Sequence, residues 1–119
     1  MSNFRKILVW QKSISLVTKI YKVTRTFPKE ETFGLTSQIR RSSVSIPSNI
    51  AEGSGRESNK DFLRFLYISL GSLFEMQTQL EIAKNIIYIN EEEFNLLYED
   101  SREIERMLAS LIKKLKDTI

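Results

Sequence analysis

Polar side chains that could take part in chemistry recur on one face of a single segment, at steps of three or four residues. They are Gln38, Arg41, Ser45, Asn49 and Glu52. Nucleophilic catalysis needs a base beside the serine, but the chain has no histidine and this stripe has no lysine. Glu52 lies about two helical turns from Ser45, too far for direct contact. Two interpretations remain: a hydrogen-bonded seam between helices or subunits, or the lining of a channel in a ring.

Two residue types that often carry catalysis are missing from the chain. It has no cysteine and no histidine, which removes disulfides, thiolate zinc sites and the usual general base. The acidic run 91–93 suits a helix N-terminus, where negative charge is favourable, rather than a metal site. A divalent ion held by Glu52 or Glu75 is the remaining enzymatic alternative. We predict a protein that is not an enzyme and that uses no cofactor and no metal.

Basic residues are unevenly distributed along the chain. Residues 1–64 carry 12 basic and 5 acidic side chains, whereas residues 65–119 carry 6 basic and 10 acidic ones. Lysines and arginines along a helix face can neutralise the phosphates of RNA or DNA, and no motif for base-specific readout accompanies them. We predict nucleic-acid binding by Arg5, Lys12, Lys19, Lys22, Arg25, Arg40, Arg41 and Arg56. The alternative is a solvated face, or one that matches an acidic neighbour in an oligomer.

Apolar residues repeat with helical periodicity in four segments, which predicts helices over about residues 4–26, 33–52, 58–84 and 91–117. Gly53 and Gly55 are expected to end the second helix. In the first helix the predicted core stripe is Ile7, Trp10, Ile14, Val17, Tyr21 and Thr24.

The connections between these helices are short, which favours antiparallel neighbours. The predicted fold class is therefore all-α: an antiparallel up-down-up-down four-helix bundle in a single domain, residues 1–119. Ser58 with Asp61, and Asn90 with Glu93, have the spacing of N-terminal caps for the third and fourth helices. The first residues lack a long apolar run, so we expect neither a signal peptide nor a membrane span, and a cytoplasmic location.

The third helix has more apolar surface than the core of a monomeric bundle needs. One stripe suits the core, and a second stripe lies about a third of a turn away. Large exposed apolar surfaces usually mark interfaces. We therefore predict that an oligomer interface is formed by Leu63, Tyr67, Leu70 and Phe74.

Three strings in the chain are distinctive when taken together: LVWQKSISLVTKIY (8–21), FPKEETFGLTSQIRRSSVSIPSNIAEGSGR (27–56) and DFLRFLYISLGSLFEMQTQL (61–80). The chain resembles the bacterial four-helix-bundle family named after proteins encoded in intervening sequences of 23S rRNA genes. The resemblance covers nearly the whole chain. It is most specific at Gln38, Arg41, Ser45, Ile46, Asn49, Ile50, Ala51, Glu52, Gly53 and Arg56, and it continues through Phe65, Leu66, Gly71, Ser72 and Glu75.

This resemblance implies a bundle that assembles with copies of itself into a ring, as a homopentamer. A related branch is the accessory variability determinant of diversity-generating retroelements, a pentameric barrel that binds nucleic acid and partners a reverse transcriptase. The expected function is thus a non-enzymatic, homo-oligomeric bundle that binds RNA or DNA without sequence preference, as a scaffold in a nucleoprotein complex. The alternative is an adaptor ring that docks a protein and has no nucleic-acid role.

Overall fold

Four α-helices account for most of residues 3–119, the part of the chain that the computed structural model describes. No strand occurs within that range. The helices are α1 Leu8–Thr24, α2 Leu35–Ser54, α3 Asn59–Asn85 and α4 Glu91–Lys116, with short 3-10 helices at Phe4–Lys6 and Lys29–Glu31. They pack side by side into one domain measuring 45 × 23 × 20 Å. The prediction of an all-α, single-domain protein is confirmed.

Each helix contributes one face to a continuous apolar core. Burying a large aliphatic side chain stabilises the fold by about 1.5–3 kcal/mol. The side chains with almost no exposed surface include Leu16 and Ile20 from α1, Ile39, Ile46 and Ile50 from α2, Leu66, Leu73, Met76 and Leu80 from α3, and Ile104 and Leu108 from α4.

The predicted core stripe of α1 is only partly confirmed. Thr24 is buried, and Ile7 and Trp10 are partly buried and pack against the core. Ile14 and Tyr21 are each 40% exposed, and the buried face instead carries Leu16 and Ile20. Both faces of α1 repeat apolar residues at helical spacing, so periodicity alone does not tell which of them meets the other helices. The true stripe also contains small hydroxyl residues, which reduce its apolar signal.

The buried hydroxyl groups of α1 do not lower stability, because each donates a hydrogen bond to a backbone carbonyl in the preceding helical turn. Ser13 Oγ donates to the Val9 carbonyl oxygen at 2.7 Å, and Thr24 Oγ1 donates to the Ile20 carbonyl oxygen at 2.7 Å. A buried hydroxyl with an acceptor avoids the desolvation cost of an unpaired polar group. Small polar side chains can therefore share the core face of α1.

The N-termini of α3 and α4 have the predicted caps. Ser58 Oγ accepts from the Asp61 amide at 3.1 Å. At α4, Asn90 Oδ1 accepts from the Glu93 amide at 2.7 Å while Glu93 Oε1 accepts from the Asn90 amide at 3.0 Å, which completes a capping box. Such caps satisfy backbone amides that have no partner within the helix.

A carboxylate from the preceding turn supports the start of α2. Glu31 Oε1 accepts from the Leu35 amide at 3.0 Å, and Glu31 Oε2 accepts from the Tyr88 hydroxyl at 2.8 Å. The backbone bond from Leu35, followed by the bond from Tyr88, lowers the pKa of Glu31 below its ordinary value. The bond to Glu31 raises the pKa of Tyr88. This pair ties the α1–α2 connection to the segment before α4.

We predict that Glu31→Gln makes folding stability less dependent on pH in the acid range. Because the folded pKa of Glu31 is lowered, its contribution is complete above the unfolded pKa, near 4.5, and is lost as pH falls through the folded value. Urea midpoints at neutral pH and at about pH 3 test this. The variant should be less stable than the parent at neutral pH, and the stabilities of the two proteins should become nearly equal in acid. If the urea midpoints of variant and parent differed by the same amount at both pH values, the ionised Glu31 carboxylate would not be the source of the stabilisation.

Candidate nucleic-acid interface

A cleft with a volume of about 570 Å³ lies where α1 ends and α2 begins. Its walls come from the last turn of α1, the connecting segment and the first two turns of α2. We call it the basic cleft and define it by Tyr21, Thr24, Arg25, Lys29, Phe33, Arg40 and Arg41, among the residues that line it.

The basic cleft is strongly positive. Arg25, Lys29, Arg40 and Arg41 line it, and its lining within residues 3–119 includes no carboxylate. None of these four cations forms an ion pair with another residue in that range. The nearby Glu31 is engaged with Leu35 and Tyr88. Four unpaired cations around a concave surface attract an anion, and the field is concentrated by the low-dielectric walls.

Arg40 is held in place on one wall of this cleft. Its guanidinium carbon lies 4.6 Å from the centre of the Tyr21 ring, a cation–π contact. Its Nε donates to Thr24 Oγ1 at 2.9 Å. Thr24 is in turn fixed by its bond to the Ile20 carbonyl. Fixing an arginine before a ligand arrives reduces the side-chain entropy lost on binding.

An aromatic ring projects into solvent at the rim of the cleft. Phe33 is 96% exposed, in the short connection before α2. A phenylalanine this exposed contributes nothing to the core. A flat apolar ring beside cations is the combination that binds unpaired nucleotides, with the base stacked and the phosphate neutralised.

Sequence reasoning had found only part of this site. It predicted Arg25, Arg40 and Arg41, which the fold brings together, but it assigned Tyr21 to the core. It missed Lys29 and Phe33. The position of Phe33 could have indicated its exposure. It comes directly before Gly34 and outside the buried apolar repeat of α2, so it has no neighbouring helical residue to pack against.

Two other predicted cations of α1 are paired with acids of α4. Lys19 Nζ lies 2.7 Å from Asp100 Oδ2, and Lys12 Nζ lies 3.3 Å from Glu103 Oε1. Each pair is partly exposed, so it adds little stability. It does cancel most of the local positive charge along this face of α1.

The remaining predicted cations lie apart from the basic cleft. Arg5 contacts the Phe4 ring near the start of the chain, and Lys22 lies in the groove between α1 and α4. Arg56 pairs with Glu52 at 3.0 Å and lies over the Phe65 ring. Of the predicted set of eight, three thus lie together in the basic cleft and five lie outside it.

The polar stripe of α2 faces α3. Ser45 Oγ lies 2.8 Å from Ser72 Oγ, and Asn49 Nδ2 donates to Ser45 Oγ at 2.9 Å. Gln38 and Arg41 line the outer part of the same groove, whereas Glu52 is exposed and bonds Arg56. Within the single chain the inner part of the stripe is therefore a hydrogen-bonded contact between two helices.

The predicted interface residues of α3 divide into two kinds. Leu63 and Leu70 are partly buried and pack against the core of the bundle. Tyr67 and Phe74 are 44% and 47% exposed. With Ile82, which is 44% exposed on the same side of the helix, Tyr67 and Phe74 form what we call the α3 ridge.

No cluster of three or more acidic residues in the range 3–119 is arranged to hold a metal ion. Among the helices in that range, none combines the length and the apolar character needed to cross a bilayer. The geometry and charge of the chain thus define a class: an all-α helical bundle with an unpaired basic cleft at one end.

The family is established by comparison. The profile of the family described as 23S rRNA-intervening sequence protein matches residues 5–110, most of the chain. The chain therefore belongs to the family of 23S rRNA-intervening sequence proteins, as its three sequence strings predicted.

A solved structure shares the fold. A protein of unknown function from the S23 ribosomal protein family of Bacteroides thetaiotaomicron is 32% identical to this chain, with a TM-score of 0.82. The match covers 88% of this chain and 98% of that one. No curated protein matches the chain.

Proposed function

We propose that this protein is a non-enzymatic, cytoplasmic scaffold that binds single-stranded regions of RNA or DNA through the basic cleft. The observation that carries the proposal is the set of four unpaired cations with an exposed aromatic ring at the rim. Phosphates lie against Arg25, Lys29 and Arg41, and a base stacks on Phe33. Contacts of this kind read charge and shape rather than sequence.

The binding mode favours unpaired nucleotides over a duplex. In a duplex the faces of the bases are covered by their neighbours, so Phe33 has no surface on which to stack. The cations still neutralise phosphates of either form. A protein that uses both contacts binds a single strand more tightly than a duplex at the same salt concentration.

The test is a salt titration with labelled single-stranded RNA and with duplex DNA of equal length. We predict that Phe33→Ala lowers affinity for the single strand about tenfold and leaves duplex affinity nearly unchanged, since one stacked base contributes on the order of 1–3 kcal/mol. Phe33→Tyr, which keeps the ring, is the matched control. Absence of binding by the parent protein at low salt would overturn the proposal.

We further propose that the bundle is up-down-up-down and that copies assemble into a ring. Lys12 contacts Glu103 while Lys19 contacts Asp100, so residue numbers rise along α1 as they fall along α4. Contacts between α2 and α3 follow the same pattern. Helices paired in this way run antiparallel.

Two different apolar surfaces support the ring. One is the α3 ridge. The other is a groove of about 280 Å³ between α1 and α2, lined by Trp10, Ile14, Val17, Val44, Pro47 and Ala51 among others. Contact between two unlike surfaces of identical chains is heterologous, and it forms a ring when the rotation between neighbouring copies closes on itself. A pentamer is the size that family resemblance implies, and it would repeat the basic cleft around the axis.

We predict that Phe74→Arg separates the ring into subunits that remain folded, because a charge replaces the centre of the α3 ridge. Sedimentation and circular dichroism measure the two effects. Leu96→Arg, which makes the same change at a 65% exposed residue of α4, is the control and should leave assembly intact. An intact oligomer in the Phe74 variant would place the ridge outside the interface.

The second candidate function is an adaptor ring that binds a protein. The pairing of Lys12 and Lys19 with α4 acids favours it, because it removes cations from the long face of α1. A nucleic-acid enzyme, such as a reverse transcriptase, is the partner class that suits either function. Absence of nucleic-acid binding in a sample with confirmed assembly would favour the adaptor.

A further inference from the structure

A second pocket lies beside the basic cleft, in the groove between α2 and α3. It has a volume of about 380 Å³, within the usual range for small-molecule sites. Arg41 lines both this polar pocket and the basic cleft. A ligand whose phosphate lies in the cleft can therefore place another group in the polar pocket.

The floor of the polar pocket has donors without acceptors. Gln79 is 7% exposed; its Oε1 accepts from Ser42 at 2.7 Å, while its Nε2 has no acceptor among residues 3–119. Ser45 and Ser72 share one hydrogen across 2.8 Å, and Asn49 donates to Ser45, so one hydroxyl hydrogen of the pair is left to donate elsewhere. No side-chain nitrogen or oxygen that is fully buried within residues 3–119 lacks a hydrogen-bond partner, so Gln79 Nε2 reaches the open space of the pocket and can donate to a ligand there.

The rims of the pocket carry opposite charges that do not pair with each other. Arg41 lies on the α2 side and Glu75 on the α3 side, and neither forms an ion pair with any residue from 3 to 119. The pocket thus offers an acceptor on one side, and donors on the other side and the floor. It fits a ligand with adjacent N–H groups on one edge and acceptors on another.

We propose that the polar pocket binds a guanine base, with Glu75 as the residue that determines specificity. This inference rests on the proposed nucleic-acid function and adds one base preference to it. Guanine is the nucleobase with two neighbouring N–H donors on one edge, which a carboxylate accepts together, and its O6 and N7 are acceptors suited to Arg41 and Gln79. Adenine and cytosine would place a ring-nitrogen lone pair against the Glu75 carboxylate.

The experiment is calorimetric titration of the full chain with the 5′-monophosphates of guanosine, adenosine, cytidine and uridine. We expect guanosine monophosphate to bind about tenfold more tightly than the other three, the discrimination that one bidentate contact provides. Glu75→Gln should remove that preference, because it weakens binding of guanosine monophosphate and relieves the repulsion between the carboxylate and the adenine ring nitrogen. Glu57→Gln, with the same change of charge at another exposed residue, should keep the preference.

The outcomes separate this inference from the function on which it rests. Equal affinity for all four nucleotides would overturn the guanine site and leave phosphate binding in the cleft intact. Binding of single-stranded RNA with no binding of any mononucleotide would also overturn it. Failure to bind either single-stranded RNA or mononucleotides would overturn both proposals. A guanine preference that survives Glu75→Gln would remove the assigned role of Glu75.

Discussion

The double variant Arg25→Gln, Arg41→Gln is expected to bind single-stranded RNA about 25-fold more weakly than the parent at 0.1 M salt. Each phosphate contact to a single strand adds about 0.7 to the slope of log affinity against log salt, which corresponds to about fivefold at this concentration. Two lost contacts therefore also reduce the measured slope by about 1.4. Fluorescence anisotropy across a salt series measures both quantities.

The matched control is Lys12→Gln, Lys19→Gln, which removes the same total charge. These lysines are already paired with Glu103 and Asp100, so their loss should change affinity less than threefold, well below the effect of two lost contacts. Equal losses in the two double variants would mean that overall charge, rather than the basic cleft, determines binding. A larger loss in the lysine variant would move the interface to the face of α1 that contacts α4.

The largest effect on stability is expected from Gly53→Ala, which should lower the free energy of unfolding by about 1–3 kcal/mol. Gly53 is buried where α2 passes close to α3, and a Cβ there would lie 2.6 Å from the Phe65 Cβ and 3.0 Å from a Phe62 ring carbon. The Cβ of Phe65 is fixed to its backbone, so the two helices would have to separate. Urea denaturation followed by circular dichroism measures the change.

Gly71→Ala is the control for helix propensity. Gly71 is exposed within α3, and a Cβ there would have no atom within 4 Å. Replacing a glycine in a helix interior by alanine stabilises by up to about 1 kcal/mol when no contact opposes it. Opposite signs for the two glycine variants would establish that helix contact, not propensity, sets the cost at Gly53. Stabilisation by both would show that α2 and α3 can separate without cost.

Gly53 also shows how a local rule can mislead. Glycine commonly follows the end of a helix, so Gly53 and Gly55 were both expected to end α2. In the fold, α2 continues through Gly53 to Ser54, and Gly55 alone follows the end. The chain uses glycine at 53 for its lack of a Cβ rather than for its backbone freedom. Close approach of another helix overrides propensity here, and that approach is a tertiary property.

Features that depend on neighbours in the chain were predicted well. The caps at Ser58 and Asn90 rest on contacts three residues apart, so residue types and spacing specify them. The all-α class follows in the same way from periodicity over long segments. These interactions form within one or two helical turns, where sequence distance and spatial distance are nearly the same.

The amino-acid sequence by itself determined the helical class, the caps, the family and the excess of cations in the first half of the chain. Only the tertiary structure decided which face of α1 is buried, which cations meet acids and which remain unpaired around the basic cleft. Lys12 and Lys19 find their acids more than 80 residues away in the sequence, on α4. Charge and apolarity are properties of single residues, whereas pairing and burial depend on distances that only the packed helices set.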